Sequence, residues 1–193
     1  MTRRGAVIFD FDGTLTRPHL DFDAIRAEIG VSGPILEAMA LLAPSERNRA
    51  ESILLRHEWD AARHAELQDG AAEVLADVRE MGFSTAILTR NAREPVAHVL
   101  TTFGMRVDAL RTREDGAIKP SAEPVLALCR QLNASPTESW VVGDFLFDIL
   151  SGRAAGARTV LMIGDSARPA FADQADHVIR SLLELPSILK AGA

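Results

Sequence analysis

The chain has 193 residues, 47% hydrophobic and 25% charged, with a formal net charge of −6 at pH 7. That length predicts one domain with a small inserted module and a core large enough to fold unaided. The acid excess argues against a broad nucleic-acid surface, and no apolar run reaches the ~20 residues of a membrane span. Met1-Thr2-Arg3-Arg4 leads into an apolar run too short for a signal peptide, so the expectation is a soluble cytoplasmic protein. The single cysteine, Cys129, lies in the apolar helical run Val125–Cys129 and reads as a small buried thiol rather than a nucleophile.

The first element is Ala6-Val7-Ile8-Phe9, four apolar residues that read as a buried strand. It runs into Asp10-Phe11-Asp12-Gly13-Thr14-Leu15. Asp10 and Asp12 are two apart at a strand tip, so their side chains point the same way, and Gly13 lets the chain turn. Two adjacent carboxylates repel and need a cation, a shared proton or a basic partner. From Thr16 to His64 the pattern is helical throughout. Phe22, Ile25, Ile29 and Val31 mark one helix ending at Gly30. Ile35, Leu36, Met39 and Leu42 mark a second after Gly33-Pro34, and Pro44-Ser45-Glu46 opens a third running towards His64.

Strand and helix then alternate. A helix opens at Asp69 or Gly70, with Ala72, Leu75, Ala76 and Val78 as its apolar face and Met81-Gly82 as its end. Phe83–Leu88 is a strand ending in Thr89-Arg90-Asn91. A helix from about Glu94 to Phe103 follows, then a weak edge strand at Val107–Leu110 and a helix over Pro124–Leu132. Trp140-Val141-Val142 is a strand ending in Gly143-Asp144, followed by a helix from about Asp148 to Ala155. Thr159–Ile163 and His177–Ile179 close the series. This alternation predicts an α/β fold, a doubly wound, parallel, Rossmann-like sheet. The expected organisation is a core of residues 1–15 and 67–193, with a small all-helical cap, residues 16–66, inserted after the first strand.

Strand tips of one parallel sheet share an edge, so Asp10, Thr89 and Asp144 can converge from distant parts of the chain. The loop Lys119-Pro120 supplies a cation before the helix at Pro124, and Asp148 follows Asp144 by four residues. With these pieces in this order, the sequence resembles the haloacid dehalogenase superfamily of phosphohydrolases. The likeness covers the whole core and is nearest the branch that contains phosphoglycolate phosphatase and β-phosphoglucomutase, with a short C1-type helical cap. Two features depart from the family pattern. Phe145 follows Gly-Asp where a small polar residue is common, and the insert is shorter than the four-helix cap of phosphoglycolate phosphatases.

The resemblance implies an Mg²⁺-dependent phosphomonoesterase working through an aspartyl-phosphate. Asp10 is then the nucleophile and Asp12 the acid/base. Asp10, the carbonyl of Asp12, and Asp144 hold the metal, whose ligands are hard oxygens. Thr89 and the Arg90 backbone N–H hold phosphate oxygens, and Lys119 neutralises charge. Asp148 orients Lys119 or a metal-bound water, and Asn91 shapes the loop. The expected partner is a small-molecule phosphate monoester, with no nucleic acid and no membrane, and the protein a monomer or homodimer. Carbon–halogen displacement is disfavoured by Asp12, which dehalogenases of this family lack. Two alternatives stay open. One is a phosphomutase of the β-phosphoglucomutase type, although the spacing of His19 from Asp10 does not match that pattern. The other is a non-enzymatic binding or scaffold protein on the same fold, which predicts a damaged catalytic set.

Overall fold

The computed structural model describes residues 5–192, so the Met1–Arg4 stretch lies outside it. The chain divides into two compact units. One comprises the chain up to Pro18 and from Glu66 onward; the other is His19–Ala65.

The larger unit is built on a six-stranded parallel sheet in the order β3-β2-β1-β4-β5-β6. Its strands are β1 (Ala6–Phe9), β2 (Ser84–Leu88), β3 (Ala109–Arg111), β4 (Trp140–Gly143), β5 (Arg158–Met162) and β6 (His177–Ile179). β1, β2 and β4 are buried along their whole length, as strands of a parallel sheet covered on both faces should be, β2 burying Ser84 and Thr85 along with its apolar residues. The edge strand expected at Val107–Leu110 instead spans Ala109–Arg111 because Asp108 has another use. Its carboxylate accepts hydrogen bonds from the Thr85 backbone N–H (2.8 Å) and hydroxyl (3.4 Å). Asp176 does the same for Thr159, at 2.7 and 2.8 Å. Each aspartate thus satisfies polar groups of a buried threonine, Thr85 in β2 and Thr159 in β5.

Five helices cross between these strands or close the chain: α4 (Ala71–Glu80), α5 (Arg93–Thr102), α6 (Glu123–Leu132), α7 (Leu146–Ala154) and α8 (Leu185–Ala191). The buried face of α4 is Ala71, Val74, Leu75 and Val78, whereas the expected Ala72 and Ala76 are exposed. Ala71, Val74, Leu75 and Val78 have the i, i+3, i+4, i+7 spacing of one helical face, with the bulkier valines inside. On α6, Val125, Leu128, Cys129 and Leu132 follow the same spacing and pack against β1, β2 and β4 side chains. Burial pushes the Cys129 thiol pKa up, in keeping with a packing role.

The smaller unit holds α1 (Phe22–Ile29), α2 (Ile35–Ala40) and α3 (Pro44–Arg63). Its core is Ile25, Ile35, Met39, Ala50 and Leu54. Asp21 caps α1 by accepting from the Ala24 N–H at 2.9 Å, and Gly30 ends it in the left-handed region. Phe22, placed by the sequence on the apolar face, is 50% exposed because the buried face begins at Ile25. Among the described residues no helix is long and apolar enough to cross a membrane.

Candidate active site

The strand order reverses between β1 and β4, which are adjacent although far apart in the chain. At such a switch point the loops leave in opposite directions and open a crevice at the carboxyl edge. Asp10 follows β1 directly, and its N–H donates to the Val142 carbonyl at 2.8 Å, fixing the tip of β1 to β4. Asp144 follows β4 and Thr89 follows β2. Those tips are level because Phe9 is in register with both Val142 and Ile87.

Lys119 reaches this edge from the loop before α6 and is 3% exposed. Its Nζ lies 2.6 Å from Asp10 Oδ1 and 2.6 Å from Asp148 Oδ1. The other Asp148 oxygen accepts from the Phe145 N–H at 3.1 Å, in the first turn of α7. That bond starts α7 earlier than Asp148 and gives the acid a double task, helix start and lysine partner. Asp10, Asp144 and Asp148 each present a carboxylate oxygen within 4.8 Å of the others.

Three carboxylates therefore share one ammonium, and burial magnifies the imbalance. Burial, then the charges of Asp10 and Asp148, push the Asp144 pKa up to about 8. Burial and Asp10 push that of Asp148 to about 6, although Lys119 pulls the other way. Burial alone would lower the Lys119 pKa, but Asp10 and Asp148 outweigh it and hold the ammonium above the ordinary lysine value. A buried excess of hard oxygen anions is a donor set that fits a divalent cation such as Mg²⁺.

Two glycines make this crowding sterically possible. Gly13 has φ +80°, and a Cβ there would lie 2.2 Å from Asp144 Oδ2. A Cβ at Gly143 would lie 2.2 Å from Asp148 Cγ.

Asp12 lies two residues beyond Asp10. Its carboxylate accepts from the Thr16 hydroxyl at 3.4 Å and from Asn91 Nδ2 at 3.2 Å. Asn91 also donates its backbone N–H to Thr89 Oγ1 at 3.1 Å, which links the tip of β2 to Asp12. The Arg90 guanidinium lies over the Phe147 ring, 4.8 Å from its centroid, and donates to the Lys119 carbonyl. Arg90 thereby joins the loop after β2 to the first turn of α7 and to the loop carrying Lys119. Sequence reasoning did not single out Thr14, Thr16 or Phe147. Thr14 donates its hydroxyl towards Asp144 Oδ1 at 3.4 Å. Both threonines are buried, and a buried hydroxyl needs a partner, so their places beside Asp12 and Gly13 were the available signal.

A family model described as haloacid dehalogenase-like hydrolase matches residues 5–156. An uncharacterized hydrolase of Saccharomyces cerevisiae is 33% identical over 166 residues, covering 81% of this chain and 76% of its own. The N-acetylmuramic acid 6-phosphate phosphatase of Pseudomonas putida is 31% identical over 182 residues, covering 81% and 82%. In fold, the crystal structure of a hydrolase from Pseudomonas syringae superimposes with a TM-score of 0.83 over 97% of this chain and 98% of that one, at 19% identity. The match over most of the chain shows that it belongs to the haloacid dehalogenase-like hydrolases.

Proposed function

We propose that the protein is an Mg²⁺-dependent phosphomonoesterase that acts on a small phosphorylated metabolite through an aspartyl-phosphate formed on Asp10. The observation that carries this reading is the cluster of Asp10, Asp144 and Asp148 around the Lys119 ammonium at the carboxyl edge of the sheet, with Asp12 two residues from Asp10. Asp10 pairs with Lys119 within this cluster of three carboxylates, and Asp12 has its carboxylate hydrogen-bonded by Thr16 and Asn91. A nucleophile needs its charge, and an acid/base must exchange a proton, so the two roles call for two environments.

In the proposed reaction Asp10 attacks phosphorus, and Asp12 gives its proton to the departing oxygen. Asp12 then takes a proton from the water that opens the phosphoenzyme. Thr16 and Asn91 aim the Asp12 carboxylate. The Thr89 hydroxyl and the Arg90 N–H hold phosphate oxygens, and Lys119, oriented by Asp148, offsets their charge. Asp10, the Asp12 carbonyl and Asp144 would hold Mg²⁺, which would supply charge neutralisation.

These groups recognise only phosphate and metal, so discrimination among monoesters falls to other residues. The helical unit His19–Ala65, inserted between Asp12 and the rest of the core, is the proposed source of that selectivity. The likeness to the N-acetylmuramic acid 6-phosphate phosphatase of Pseudomonas putida supports a small phosphorylated metabolite as the substrate class.

Hydrolysis of p-nitrophenyl phosphate should require Mg²⁺, stop in excess chelator and be inhibited by Ca²⁺, whose larger and looser shell misplaces the nucleophile. A panel of phosphosugars and phosphorylated carboxylic acids should then outperform phosphopeptides and nucleic-acid ends. Activity that persists after verified metal removal, or a preference for a phosphoprotein, would overturn the proposal.

Mg²⁺ affinity should also depend on pH. Metal binding requires the Asp144 carboxylate, whose pKa burial and neighbouring acids push up to about 8. Affinity should therefore weaken as pH falls from 8 to 6, by up to about tenfold per unit for one displaced proton. The Mg²⁺-induced rise in melting temperature, measured at both pH values and matched metal concentration, checks the sign.

A further inference from the structure

The helical unit contains a second cluster of metal-binding chemistry that the proposed reaction does not use. His19, Asp60 and His64 each offer a donor atom within 4.8 Å of the others. Asp60 and His64 stand four apart at the carboxyl end of α3, the spacing that puts two side chains on one face of a helix. The imidazole of His19, from the first residue of the unit, stacks on that of His64 with ring centroids 5.8 Å apart and planes 18° apart.

We propose that His19, Asp60 and His64 form a site for a divalent transition metal of the zinc class, which ties the chain where it enters the helical unit to the chain where it leaves.

Three independent features support the assignment. First, the donor set is two imidazoles and a carboxylate, which suits Zn²⁺ far better than Mg²⁺. Second, His64 Nδ1 is 2.9 Å from the Asp60 backbone carbonyl. A ring nitrogen facing a carbonyl carries the proton, so Nε2 keeps its lone pair. Donation of the other ring N–H to a carbonyl is the usual support of a metal-bound histidine. Third, the site lies at the carboxyl end of a 20-residue helix, where unpaired carbonyls favour a cation. Tetrahedral zinc holds its donors about 3.3 Å apart. The three side chains already bring donor atoms within 4.8 Å of one another, and all three are exposed and free to turn by the remaining distance. His57, the other histidine of α3 before His64, is engaged by Glu28 at 2.9 Å and is not part of the set.

The test is calorimetric titration of ZnCl₂ into the intact protein saturated with Mg²⁺, so that the Asp10, Asp144 and Asp148 cluster is already filled. The expected result is one Zn²⁺ event of about micromolar affinity that weakens at least about tenfold in both His19→Gln and His64→Gln. The same event should survive in Asp144→Asn. Co²⁺ in place of Zn²⁺ should give visible absorption that both histidine variants lose. Because the three positions are exposed, unchanged melting curves will exclude unfolding as the cause. No Zn²⁺ event in the Mg²⁺-saturated protein, or an event equally strong in both histidine variants, would overturn the site. Neither result depends on the phosphatase reading.

Discussion

Asp10→Asn should lower turnover of any phosphate monoester by about a thousandfold or more, since loss of a covalent nucleophile removes the reaction path rather than one contact. The amide fits the same space and can still face Lys119, so the melting curve serves as a control for folding. It cannot form an aspartyl-phosphate. Labelling with a ³²P substrate followed by acid quench should therefore trap phosphoenzyme in the native protein and none in the variant. Asp12→Asn should behave differently. An activated aryl phosphate needs little help for its leaving group, so labelling should persist, while breakdown of the label slows because water has lost its base. Label retained in Asp10→Asn would move the nucleophile elsewhere. Breakdown at the native rate in Asp12→Asn would remove Asp12 from the acid/base role.

The parts of this site that could be read in the sequence share one property: each lies at the end of an apolar run. Asp10, Thr89 and Asp144 follow strands that end in apolar residues and are buried throughout, and a parallel sheet aligns such ends. Asp148 and Lys119 needed the family pattern, because a helix-start acid and a loop lysine have ordinary surface uses. The structure gives both a reason for burial, each neutralising the other. What the sequence left unread depended on side chains choosing between partners. Asp108 leaves the strand pattern for Thr85, and Ala72 and Ala76 yield the inner face of α4 to Ala71 and Val74. Thr16 and Asn91 turn towards Asp12, a contact spanning 79 positions in the case of Asn91. Local periodicity marks where an element lies, while packing decides which of two candidate apolar faces turns inward and which polar atom meets which.

Lys119→Met should destabilise the metal-free protein by about 3–5 kcal/mol near pH 8, the range for removing one partner of a buried ion pair. The substitution fills a similar volume, so the loss comes from charge. Asp10 and Asp148 each lose an ammonium 2.6 Å away, and nothing else among the described residues is ion-paired with them. The pH dependence separates this cause from poor packing. In the native protein burial and neighbouring acids already raise the pKa of Asp144 to about 8 and that of Asp148 to about 6, with Lys119 pulling both down. Without Lys119 both rise further. A carboxyl group whose folded pKa is raised keeps its proton after the unfolded chain has released it. Stability therefore falls as pH rises from the unfolded value, about 4, through the folded one. Lys119 itself stays charged throughout this range, its pKa being above the ordinary lysine value. The deficit of Lys119→Met should thus be small at pH 5 and full at pH 8, as measured by denaturant titration in chelator. Adding Asp148→Asn removes one of the stranded charges, so the double variant should regain part of the loss at pH 8. A deficit that is the same at both pH values, or a double variant whose loss is the sum of the two singles, would show that Lys119 serves the fold as a spacer rather than as the counter-charge of Asp10 and Asp148.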